Sequence, residues 1–183
     1  WTKTFTLLFC TNLLMWSGFS LLLSTIPLYV LEVGGSESLI GLVVGVYPFA
    51  ALLSRPAAGY LYDRVGRRIV FIVSLAFFTF FSFGYIVAVS VLLLMLVRIL
   101  QGAFFGITTT GAGTLIADIV PRERMGEGVG YAGLGNTLAM AIGPAVGISI
   151  MNHYGFPAMF YTCGILMTLS FVMALFVSYP KVP

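Results

Sequence analysis

Residues 59 to 68 read Gly59-Tyr60-Leu61-Tyr62-Asp63-Arg64-Val65-Gly66-Arg67-Arg68, one carboxylate among three guanidinium groups in a very short stretch between apolar runs. The chemistry open to such a cluster is charge pairing. Asp63 sits where arginines can neutralise it, and glycines at 59 and 66 allow close helix contact and a sharp reversal. A plainer use of the same charges is to fix which side of a membrane the turn occupies. A second candidate is Arg98, deep inside an apolar run. On insertion scales an arginine at mid-membrane costs about 2.5 to 3.5 kcal/mol, so it should face a polar interior, hold backbone carbonyls or snorkel outward.

Helical spacing puts Arg98, Gln101, Phe105 and Thr108 or Thr109 on one stripe, and Asn12 and Trp16 on one face of the first apolar run. Asn136 lies in a glycine-rich run with Gly130, Gly133 and Gly135. These residues are candidates for lining a cavity. Ordinary interhelical hydrogen bonding recruits the same residue types. Arg55, in Ser54-Arg55-Pro56, is read as snorkelling to the near interface, with a role in gating as the alternative. His153, the single histidine, has no sequence neighbour that would complete a metal site, and it is expected in a solvated loop. Cys10 and Cys163 both fall inside apolar runs and read as packing residues rather than a disulfide. No Walker loop, HExxH or Gly-x-Ser-x-Gly pattern is present, so neither an enzyme nor a resident cofactor is expected.

The elements that must carry these residues follow from composition. The chain has 183 residues, 60% apolar, 15% aromatic and only 8% charged. A span needs about 20 mostly apolar residues, so this length holds about six with short connections and no separate soluble domain. Expected spans are 5–30, 39–62, 69–89, 91–117, 128–150 and 157–178, in one domain covering 1–183. These runs are too long and too uniformly apolar for outer-membrane strands, so the fold class is an all-α membrane bundle. The net charge of +3 implies no nucleic acid, because the basic residues sit mostly between the apolar runs. Lys3, Arg64, Arg67, Arg68, Arg122, Arg124 and Lys181 fall on one side of an alternating topology. The opposite turns hold no lysine or arginine. Both ends are therefore expected in the cytoplasm. The chain opens on Trp1 and closes after Pro183, which reads as a piece of a longer protein.

The ten residues from Gly59 to Arg68 match G-x-L-x-D-R-x-G-R-R, and Arg98-Ile99-Leu100-Gln101-Gly102 matches R-x-x-Q-G. In both the sequence resembles the amino-terminal half of a major facilitator superfamily transporter. The resemblance implies half of a twelve-helix fold with 3+3 inverted repeats in the plasma (inner) membrane. It implies that the 59–68 loop latches two halves on the cytoplasmic side, Asp63 facing the missing C-terminal six-helix half and Arg67 pairing with Asp118. It also implies that Arg98, with Gln101 and Gly102, serves proton coupling or anionic-substrate binding. Gly143-Pro144-Ala145-Val146-Gly147 is similar to the G-P-x-x-G element of exporters working by antiport, although Ile148 stands where a further glycine sometimes follows. The implied function is secondary transport of a small organic solute by alternating access, as efflux against protons.

No carboxylate lies deep in the apolar runs. Glu32 and Glu37 fall at one edge, Asp63 and Asp118 at the other, and the first helix lacks the acid that some drug exporters in the family carry. A coupling acid is then expected in the other half, or Glu32 must reach the cavity, or transport is not proton-coupled. Uptake of a sugar or metabolite and a non-transporting scaffold stand as alternatives. Gly41-x-x-x-Gly45 and Gly102-x-x-x-Gly106 are expected to mark helix contacts.

Overall fold

The computed structural model describes residues 2–179, and among them there are helices and turns but no strand. Lys181 lies outside the described residues. Five helices are long and apolar enough to cross a membrane. They are α1 (Lys3–Glu32), α2 (Glu37–Arg64), α3 (Arg67–Phe83, continued by a 3-10 turn at Gly84–Val87), α4 (Val91–Ile119) and α5 (Met125–Leu175).

The helix α5 is two helices run together across a kink at Gly155, whose φ of 81° and ψ of 173° are not helical. Contacts with α1 reveal how its arms lie. Asn12, Ser20 and Ser24 meet Asn136, Ala139 and Pro144 of the first arm in ascending order. Thr11, Gly18 and Thr25 meet Ser170, Cys163 and Met159 of the second arm in descending order. The arms are therefore antiparallel, with α1 against both.

Three expectations are corrected here. The turn expected at 152–155 shrinks to Gly155, so His153 is helical rather than in a loop, its Nδ1 2.8 Å from the Ser149 carbonyl. A positive-φ glycine reverses the chain without further residues. The span expected over 69–89 ends early, because the backbone tightens at Gly84–Val87 while Tyr85 is buried, and Ala88 and Val89 leave the helix. The connector expected from Asp118 to Glu127 is mostly helical: α4 runs through Ile119, and a 3-10 turn at Arg122–Arg124 leads into α5. Pro121 disfavours a continued α4, since the residue before a proline is driven to extended backbone, as Val120 is.

Packing in lipid gains little from burying apolar surface, because lipid is as apolar as leucine. Close backbone approach and interhelical hydrogen bonds hold such bundles instead. On α4, a Cβ on Gly102 would stand 2.5 Å from the Tyr47 carbonyl, and one on Gly106 2.3 Å from that of Ala51. These positions bring α4 against α2. On α5, a Cβ at Gly147 would meet the Leu21 carbonyl at 2.6 Å, joining α5 to α1. A Cβ on Gly41 or Gly45 would meet nothing within 4 Å, so that pair does not form the helix contact expected of it. Hydroxyls reach across as well: Tyr62 donates to the Ile107 carbonyl at 3.1 Å and Thr79 to that of Met167 at 3.2 Å. Such bonds average about 0.6 kcal/mol in membrane proteins.

The main pairings are α1 with α5 and α2 with α4, with α3 behind, touching α4 and α5. Consecutive α1 and α2 touch little. A cleft remains between those two pairs.

Candidate functional site

The cleft opens into a cavity of about 540 Å³ whose wall includes Trp16, Phe19, Tyr47, Arg55, Arg98 and Phe105. Four rings form one cluster. Phe19 stacks on Phe105 at 5.0 Å and on Tyr47 at 5.3 Å between centroids, while Trp16 meets Phe19 and Phe105 edge-on at 5.6 and 5.5 Å. Each ring comes from a different turn of α1, α2 or α4, and the glycine contacts of α4 on α2 bring Tyr47 and Phe105 to the same level.

Arg98 is 2% exposed. Its Nε donates to the Val43 carbonyl at 3.3 Å and its Nη2 to that of Val44 at 3.4 Å, while the guanidinium lies 4.4 Å from the Tyr47 ring centroid. Its Nη1 is buried without a hydrogen-bond partner, as is the hydroxyl of Tyr47. No carboxylate lines the cavity, so the charge of Arg98 is held by dipoles and a ring face and is not neutralised there. Arg55 lines the same cavity, exposed, and makes no hydrogen bond or ion pair among the described residues.

The stripe expected on α4 divides. Phe105 and Arg98 face the cavity, but Gln101 and Thr108 do not. Gln101 Nε2 donates to Ser82 Oγ at 2.8 Å, and its Oε1 accepts from the Tyr85 hydroxyl. Thr108 is fully buried, its hydroxyl within hydrogen-bonding distance of Ser74 Oγ at 3.0 Å and of the Phe104 carbonyl at 2.8 Å. Both belong to the contact with α3. Gly102 lies beneath Tyr47 as a backbone contact.

Thr109 lines a second cavity of about 260 Å³ together with Asn12, Trp16 and Asn136. Asn12 Nδ2 donates to Asn136 Oδ1 at 2.7 Å, tying α1 to α5. The Thr109 hydroxyl is committed to the Phe105 carbonyl at 2.8 Å. Trp16 belongs to both cavities and stands between them.

At the end of the bundle where α2 turns into α3, Arg67 Nη1 donates to Asp118 Oδ2 in an ion pair. Gly66, at φ 106°, makes the reversal. A side chain at Gly59 would meet nothing within 4 Å, so the close contact expected there is not made within this chain. Asp63 is exposed and has no hydrogen bond or ion pair among the described residues. Arg64 and Arg68 are exposed too, over the rings of Tyr60 and Tyr179 at 5.1 and 5.4 Å. Gly143 and Gly147 press α5 on α1, and Ser24 donates to the Pro144 carbonyl at 3.2 Å. Glu32, the last residue of α1, is exposed and does not line the main cavity.

Sequence reasoning missed Phe19 and Tyr47 as cavity residues. Phe19 follows Trp16 by three, a helical neighbour on the same face, which was a usable signal. Tyr47 gave none, because an aromatic residue in an apolar run has no marked face.

The family model described as Major Facilitator Superfamily matches residues 8–183. Among curated proteins, the chain is 29% identical over 99% of its length to an uncharacterised MFS-type transporter of Methanocaldococcus jannaschii. It is 27% identical over 94% of its length to the quinolone resistance protein NorA of Staphylococcus aureus. The chain spans 44% of the length of each. Its fold is similar to solved structures of the POT family transporter PepTSo, with a TM-score of 0.90, 12% identity and coverage of 100% of this chain and 39% of that one. It is similar too to the human organic anion transporter MFSD10, with a TM-score of 0.81, 17% identity and coverage of 98% and 49%.

Proposed function

From the premise that this chain belongs to the Major Facilitator Superfamily, we propose that it is one moving bundle of a secondary transporter that exports a small organic solute by proton antiport. The integral, multi-pass helices supply six spans in this reading, the arms of α5 on either side of Gly155 counting as the fifth and sixth. A second bundle, of the kind that makes up the rest of the relatives' length, covers the cleft. Substrate binds between the two near the midplane, and rocking exposes it to each side in turn.

The observation that carries this reading is the uncovered cavity. Four rings and two arginines from α1, α2 and α4 stand on one side of a space of about 540 Å³. A packed scaffold would have closed it. The pair of Arg67 and Asp118 supports a latch at the cytoplasmic end, with Asp63 left for the other bundle. The basic residues at that end support cytoplasmic termini and residence in the plasma membrane. Similarity to NorA and the Gly143-Pro144 contact with α1 support export. Since no carboxylate lines the cavity, the coupling acid belongs to the second bundle.

The test is transport of a fluorescent quinolone in everted membrane vesicles carrying the intact protein. An acid-inside gradient should drive accumulation, and its collapse should release the dye. Accumulation toward the alkaline side would overturn export in favour of uptake by symport. A rate indifferent to the gradient would overturn coupling.

A further inference from the structure

The cavity between α1, α2 and α4 carries two positive charges and no negative one. Arg98 is the fixed charge, held at two points by backbone carbonyls and covered by Tyr47. Because it is buried with Nη1 unpartnered, its field is weakly screened within the cavity. Arg55 is the available charge. It lies nine residues before the end of α2, about 13 Å along the axis at 1.5 Å per residue. Asp63, two turns further on, forms no ion pair with it. Five other arginines have visible partners: Arg67 with Asp118, Arg64 and Arg68 on tyrosine rings, Arg98 on carbonyls and Arg124 with Glu127; Arg122, between α4 and α5, does not line the cavity. An exposed guanidinium on an apolar helix, turned to a cavity and left unpaired, is a receptor for an anion. The rings of Trp16, Phe19 and Phe105 line the same cavity and offer faces for a flat apolar body.

We infer that this site takes aromatic organic monoanions, a carboxylate or sulfonate engaging Arg55 while the ring system lies against Trp16, Phe19 and Phe105. The inference rests on the reading of the cavity as the substrate path. Arg98 contributes a buried positive potential and orients Tyr47, whereas Arg55 makes the direct contact.

The experiment compares 2-naphthoate, neutral 2-naphthamide and cationic 2-naphthylmethylammonium in proteoliposomes of the intact protein. Phosphatidylcholine alone forms the vesicles, so no lipid anion competes. Transport and half-saturation are read for the wild type, Arg55→Gln and Arg55→Lys, with thermal midpoints as the check on folding. The wild type should prefer naphthoate over naphthamide by at least about tenfold, the size of one charge-assisted hydrogen bond. That preference should collapse in Arg55→Gln and return in part in Arg55→Lys. Equal handling of all three probes, or a preference that survives Arg55→Gln, overturns the anion site while leaving the transporter reading intact. If no probe is bound or moved, the anion site falls, and the transporter reading is decided separately by the quinolone assay. Arg55 is exposed, so Arg55→Gln should keep the wild-type midpoint; a large drop would make it structural and also overturn the inference.

Discussion

Gln101 and Arg98 stand one turn apart on α4, equally buried, and are treated in opposite ways. Toward α3, Gln101 closes a network with Ser82 and Tyr85, and Thr108 one with Ser74. Each of these side chains finds its partner within the bundle. Toward α2, Arg98 is held by two carbonyls and a ring, yet its Nη1 and the Tyr47 hydroxyl remain unpaired. A buried polar group without a partner costs about 1 to 3 kcal/mol. The α3 face has been optimised for cohesion, while the α2 face keeps an unfinished polar environment beside a cavity. Incomplete satisfaction separates the functional face of α4 from its structural one.

The comparison can be broken most forcefully at a glycine that lets α4 approach α2. Gly106→Val would drive a side chain into the Ala51 carbonyl and wedge α2 from α4. Overpacking of this kind costs typically about 1 to 3 kcal/mol, and more against backbone, so folded protein recovered in detergent should fall sharply. Next, Gln101→Leu removes the acceptor of the Tyr85 hydroxyl and the donor to Ser82 Oγ, which keeps only its bond to the Phe78 carbonyl. The thermal midpoint should drop in line with about 1 to 3 kcal/mol, while half-saturation for substrate stays unchanged in a transport assay. Arg98→Leu should do the reverse. Replacing a buried charge by an apolar residue of similar volume is often neutral or stabilising. The midpoint should hold while transport velocity falls, because the buried positive potential behind the cavity and the hold on Tyr47 are lost. If Arg98→Leu melted as early as Gln101→Leu, the distinction between the faces would be lost.

The smallest expected effect on stability lies at the helix ends. Asp118→Asn breaks a partly exposed ion pair with Arg67. Pairs near the surface contribute about 0 to 1 kcal/mol, so the midpoint should scarcely move. If the pair is a latch, the transport rate should change all the same, and the exchange Arg67→Asp with Asp118→Arg should restore part of it. A rate unaltered by Asp118→Asn would reduce the pair to a helix-end contact.

How much of this was legible in the sequence depends on what each signal measures. Apolar run length reports lipid contact directly, so the helices were readable to within a few residues. Turns were less so, because a single positive-φ glycine, Gly155, replaces a loop and leaves His153 helical. Arg98 was conspicuous as a charge in an apolar run. Its neighbours were not, since helical periodicity says which residues share a face but not what that face meets. Thr108 and Thr109 are adjacent and chemically identical, yet one is buried against Ser74 and the other borders a cavity. Only the placement of α3 decides between them. Arg55 was legible only in part for a related reason. Its distance from the helix end suggests snorkelling, and nothing in one sequence says that a cleft lies beside it.

The connections between helices have a further consequence. Val65 and Gly66 join α2 to α3, residues 33–36 join α1 to α2, and Gly155 alone joins the arms of α5. In mechanical terms these are rods linked without slack. Among the described residues no loop is long enough to fold over the cavity as a lid, so a change in its exposure must be borne by the tilt of whole helices. Force applied at one end of a rod then reaches the other with little lost along the way. A latch at the membrane surface, as proposed for Arg67 and Asp118, would then act on the mouth of the cavity as a lever rather than as a plug.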